Sequence, residues 1–164
     1  MKQASSKDRD ARLRKQLLAL LEGGNAHAAF DAAVKNLPPA VRGKRPRGAE
    51  HSPWEVLEHL RIAQWDILDF SRNPNYKHLR WPEGYWPPTP APPDAKAWEK
   101  SVRAFRRGLK AMCDLVADPK TDLHAKIPHG SGQTVLREAL LLADHNAYHL
   151  GEMVLLRRML GAWK

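Results

Sequence analysis

A single cysteine, Cys113, stands among 164 residues. One thiol makes no intramolecular disulfide and no thiolate cluster for a metal, and it fits a reducing compartment. Long apolar runs are lacking too, and nothing approaches the ~20 residues of a membrane span. The opening stretch 1-MKQASSKDRDARLRKQLLALLEGG-24 is basic with acids mixed in. Its apolar part is short and has no clear small-residue cleavage site, so no signal peptide is read and a cytoplasmic location is expected. Acid is scarce: 18 Asp and Glu face 27 Lys and Arg, a net charge of +9. That permits binding to anions, nucleic acid or acidic lipid and says nothing about fold. The excess is spread over Lys7, Arg9, Arg12, Arg14 and Lys15 near the start and Arg42, Lys44, Arg45 and Arg47 in one loop. No helix-turn-helix spacing, zinc-finger pattern or aromatic RNA-binding strand accompanies it. A solvated basic surface therefore ranks ahead of a nucleic-acid footprint.

Convincing strands are missing as well, and four helical segments take their place. The first is expected from about Lys7 to Leu37, with a weak point at Gly23-Gly24 and an end at Pro38-Pro39. The second opens at 52-SPWE-55, where Ser52 caps, Pro53 suits the first turn and Glu55 closes a capping box. It should stop by Asn73-Pro74. The third opens at Asp94 as cap candidate and carries the stripe Trp98, Val102, Phe105, Leu109, Met112, Val116 at alternating steps of four and three. The fourth follows 131-SGQT-134 and runs to Leu160, with Gly161 suited to the residue past its end.

Four such helices in a chain of this length predict one all-α domain, an antiparallel four-helix bundle. The segment 73-NPNYKHLRWPEGYWPPTPAPP-93 is too long for a plain turn and too rich in proline to be floppy. It is expected as a structured loop across one end of the bundle. Trp81, Tyr85 and Trp86 in it either wall a pocket or, as the plainer role, fill a satellite core.

Histidines stand where core residues belong. Leu141, His145, His149 and Met153 form one i, i+4 column of the last helix, and that spacing lets two imidazoles turn to one metal ion. His59 is similarly placed on the second helix, between Val56 and Ala63. Three neutral nitrogens suit zinc, nickel, iron or copper and leave coordination positions for water or substrate. The plainer reading is a set of hydrogen-bonded core histidines, since H-x-x-x-H recurs by chance in helices. The zinc-protease pattern does not apply, because Asn146 and not Glu follows His145.

The runs 51-HSPWEVLEHLRIAQWDILDFSR-72 and 143-ADHNAYHLGEMVLLRRMLGAW-163 resemble the DinB family of four-helix metal-binding proteins. The likeness extends from about Leu18 to the end and includes the 81-WPEGYWP-87 loop and 119-PKTDLHAKIPHGSGQTVLREALLL-142. It implies a divalent metal, zinc or nickel first and iron next, held by His59, His145 and His149. It also implies thiol chemistry: related transferases and an isomerase use low-molecular-weight thiols, so a metal-dependent thiol transferase with a small-molecule substrate is one expectation. A metal-stapled binding or structural module is another, and a metal-dependent hydrolase a third. Asp144, Asn146, Glu138 and Glu152 are candidates to orient the ligating rings, with a solvated charge preferred for Glu152. Asp66 and Asp69 are expected at the surface. His51 is read as a loop residue ahead of an outer ligand or proton donor, His78, His124 and His129 have no partner pattern, and Cys113 is read as structural. A homodimer through the first and third helices is left open.

Overall fold

Local capping decides where most of the helices begin. In the computed structural model, which describes residues 5–163, α1 (Ser6–Glu22) starts at a capping box in which the Ser5 hydroxyl accepts from the Asp8 amide at 3.1 Å. The helix stops earlier than the sequence pattern suggests. Gly23 and Gly24 both take positive φ, 72° and 80°, and lead the chain out of the helix. It resumes only as the short α2 (Phe30–Val34). Two separate elements therefore replace the expected bent helix from Lys7 to Leu37.

α3 (Pro53–Arg72) has the expected capping box between Ser52 and Glu55, with Pro53 in its first turn. α4 (Ala97–Ala117) begins later than expected. Asp94 accepts the Lys96 amide at 2.7 Å through its side chain, and this forms a turn ahead of the helix instead of its cap. α5 (Val135–Met159) is capped by Thr134, and Gly161 turns the chain with φ 67°. Among the described residues there is no strand, only an isolated bridge between Lys126 and Thr134. No described helix is long and apolar enough to cross a membrane.

α1, α3, α4 and α5 close a ring in the order α3–α4–α1–α5, with α2 laid on α5. Helix directions differ from the all-antiparallel expectation. Glu58 meets Ser101, and one and a half turns on, Gln64 meets the Phe105 carbonyl. Positions rise together on both helices, so α3 and α4 are parallel. Against α5 the order reverses. Leu57 and Leu60 share a core cluster with Leu150 and Met153, whereas Ile67 and Leu68 share one with Ala139 and Leu142.

A parallel pair needs a connection that travels back along the bundle. A helix the length of α3 spans about 30 Å, and extended chain covers ~3.3 Å per residue, so residues 73–96 reach easily. Their path is marked by contacts. Tyr76 and Tyr85 hydroxyls donate to Asp66, the Trp86 ring lies on His59, and Ser52 donates to the Pro90 carbonyl. The Pro-rich segment thus runs down the flank of α3 rather than across one end. Gly43 accommodates it, since a methyl there would sit 2.5 Å from Ala91 Cβ.

Candidate metal centre

The α3–α5 seam carries the histidines. On α3, His59 is two turns past the cap, with Val56, Leu57 and Leu60 around it fully buried. On α5, His145 and His149 stand one turn apart, and Met153 continues their column with no exposure. His59 and His149 are 5% and 9% exposed, and His145 is partly buried. The three ring pairs have centroids 4.5–4.9 Å apart. One donor atom from each lies within 4.8 Å of the others, an arrangement that can hold a metal ion.

Hydrogen bonds at the far side of two rings decide which nitrogen is free. His59 Nδ1 is 2.9 Å from the Tyr85 carbonyl oxygen, and His149 Nδ1 is 2.8 Å from Glu152 Oε2. Both oxygens only accept here, so both Nδ1 atoms carry the proton and both Nε2 atoms keep a lone pair. His145 Nε2 lies 3.0 Å from His59 Nε2. Nitrogens sharing a tetrahedral ion with bonds of about 2.0–2.1 Å stand roughly 3.3 Å apart, so little adjustment separates this geometry from a ligand set. Without an ion, a proton on His145 Nε2 would leave its buried Nδ1 as a bare acceptor. That Nδ1 has no hydrogen-bond partner, and neither has the buried Oδ1 of the next residue, Asn146.

The electrostatics favour neutral rings. Burial pushes His145 down to about 4, reinforced by His149 and His59 and partly offset by Asn146. Burial lowers His59 as well, against the opposing bond to Tyr85. Neutral imidazole is the form that binds metal. Burial alone would raise the Glu152 carboxyl, but the bonds from His149 and His51 hold it below its ordinary value.

Three residues stand differently from their sequence reading. Glu152 is not a solvated charge: its two oxygens take His149 and His51. Asp66 is not at the surface: it is 7% exposed and accepts both tyrosine hydroxyls at 2.8 Å. His51 is more than a loop residue, because it stacks on Trp86 at 3.9 Å while Trp86 stacks on His59 at 4.0 Å. One signal could have found Glu152, since i+3 from His149 is one helical turn away on the same side. The Tyr85 carbonyl has no signature, because every residue carries one.

The remaining candidates fall outside the cluster. Asp144 is exposed, and Glu138, though buried, takes Arg137 instead of a ring. Asp69 is half-buried and accepts from Asn73. His129 Nε2 is 2.8 Å from the Phe70 carbonyl, and His78 packs edge-on to Tyr76. His124 is exposed. Of the loop aromatics, Trp86 walls the cluster, Tyr85 supplies its carbonyl and Trp81 is 73% exposed. Cys113 is half-buried, its thiol pushed up to about 11 chiefly by burial, which fits a structural residue.

A family model described as the DinB superfamily matches residues 23–153, a span that includes all three clustered histidines. Comparison with curated proteins and with solved structures gave no match.

Proposed function

The chain belongs to the DinB superfamily, and on that footing we propose that His59, His145 and His149 hold one divalent metal ion. The observation that carries this reading is the commitment of His59 Nδ1 and His149 Nδ1 to oxygen acceptors, which turns both Nε2 lone pairs toward the space that His145 Nε2 also faces. A proton on His145 Nε2 can serve only one neighbouring lone pair at a time, whereas a cation in the common space can take up all three nitrogens. Three neutral nitrogens suit zinc or nickel, with iron as the next choice, and leave room for an exchangeable ligand.

That ligand, in this reading, is a low-molecular-weight thiol, and the reaction joins the intact thiol through its sulfur to an electrophilic carbon of a small molecule, the thiol losing its proton and the carbon its leaving group. A divalent metal bound here supplies Lewis acidity that lowers the pKa of a thiol or water. The chain's own residues hold the site together. Glu152 and the Tyr85 carbonyl fix the tautomers of two rings, and Trp86 shields His59 on one face. A second reading is a structural staple, favoured by the fact that the three histidines come from two helices packed side by side.

The test is elemental analysis of untagged protein purified without chelator, beside a His145→Ala, His149→Ala double variant. About one metal per chain in the parent and none in the variant is expected. Metal-free parent after reconstitution would leave a hydrogen-bonded core cluster instead. Cobalt-substituted protein then separates the two readings. Millimolar thiol should shift its visible absorption if thiol binds, and an unchanged spectrum with a steep fall in Tm on chelation would favour the staple.

A further inference from the structure

We propose that Glu152 is the positioning residue of this centre and that His51 is its second anchor, so a histidine outside the cluster governs how tightly the cluster holds metal. This rests on the metal reading above. Glu152 stands one turn beyond His149 on α5, and Oε2 accepts from His149 Nδ1 at 2.8 Å. Its other oxygen accepts from His51 Nδ1 at 3.1 Å. A carboxylate held at both oxygens is fixed in orientation, and it makes the ring it faces a better donor.

His51 arrives from the other side of the seam, in the segment that enters α3. Its ring lies nearly parallel to Trp86, at 11°, and Trp86 lies nearly parallel to His59, at 5°. The contacts therefore run from His149 through Glu152, His51 and Trp86 to His59. They join two of the three proposed ligands by a route outside the metal space. His145 has no place in this chain. A simple ion pair between α5 and the α3 entry would stabilise the fold alone, whereas this arrangement also aims two ligating nitrogens.

The experiment is a zinc titration against a chromophoric chelator, with the Tm of each metal-free protein measured alongside. The proteins are the parent, Glu152→Gln, His51→Ala, His51→Gln and the Glu152→Gln, His51→Ala pair. Glu152→Gln should weaken zinc binding by about 10–100-fold, the range for loss of such a partner. His51→Ala should weaken it by a smaller factor. His51→Gln keeps a donor for Glu152 and should recover much of that loss. The double variant should bind about as Glu152→Gln does, because both changes break one chain of contacts. Parent-like affinity in Glu152→Gln and His51→Ala, with only the metal-free Tm lowered, would overturn the proposal while the metal reading stands. A parent that takes up no zinc would remove both. Should Glu152→Gln fail to fold, the contrast between His51→Ala and His51→Gln still decides.

Discussion

Polar side chains are buried on both flanks of α3, and the two flanks treat them differently. Toward α4, Glu58 is bound by Arg61 at 2.8 Å through both oxygens and by the Ser101 hydroxyl, and Gln64 donates to the Phe105 carbonyl at 2.6 Å. The carboxylate and the amide are bonded within the protein, as buried polar groups require, and only the Trp54 indole Nε1 on this side is buried without a partner among the described residues. Toward α5, two ring nitrogens face each other, and His145 Nδ1 and Asn146 Oδ1 are buried without partners. A satisfied buried network supports structure. One with unspent lone pairs in a common space has capacity for a ligand, and the energetic penalty of leaving them unspent is the reason to look there.

The largest expected effect breaks the α5 flank outright. His59→Ala should abolish the metal uptake proposed for the cluster, seen as no bound metal by elemental analysis and no rise in Tm on adding metal, against about one metal per chain and a raised Tm expected of the parent. Next comes acid. His145 sits at about 4 in the folded chain against 6.5 unfolded. The unfolded state therefore binds more protons between those values. The stability this provides is complete above pH 6.5 and is lost as pH falls through about 4, by up to ~3 kcal/mol in metal-free protein. Glu152, also lowered, adds to the same trend at its acid end. Urea unfolding of metal-free protein at pH 7, 5 and 4 measures it, and a flat profile would contradict the assigned neutral rings.

The α4 flank supplies the contrasting change. Ser101→Ala removes a donor from the buried Glu58 carboxylate and should cost about 1–3 kcal/mol in urea unfolding. Metal stoichiometry should not change, and a loss of metal there would erase the distinction between the flanks. Smallest is Tyr85→Phe. Asp66 keeps Tyr76 as partner, so the expected cost is ~0.5–1.5 kcal/mol by thermal or urea unfolding, with at most a slight loss of zinc affinity.

Features set by near neighbours in the chain are legible in the sequence. The Ser52 cap, the buried stripe of α4 and the shared column of His145 and His149 are each set by residues within a few turns of one another. His59 is legible for the same reason. The residues that the sequence misplaces share a different property. Asp66 resembles any surface acid until the loop brings Tyr76 and Tyr85 to it, and Glu152 resembles a solvated charge until His51 arrives from a hundred positions away. The break after Glu22 shows the limit on the local side too. Two glycines in a helical pattern are compatible with a bend, but consecutive left-handed residues end a helix rather than bend it.

By itself, the sequence determined α3 and α5, the apolar stripe of α4 and the three imidazoles on inward faces, because each depends on residues within a few turns. The tertiary structure decided that α3 and α4 run parallel, that the Pro-rich segment returns along α3, and that Glu152 and the Tyr85 carbonyl fix two ring tautomers. Those outcomes depend on which distant groups meet. A hydrogen-bond acceptor is defined by its position against the donor, and that position exists only once the chain has packed.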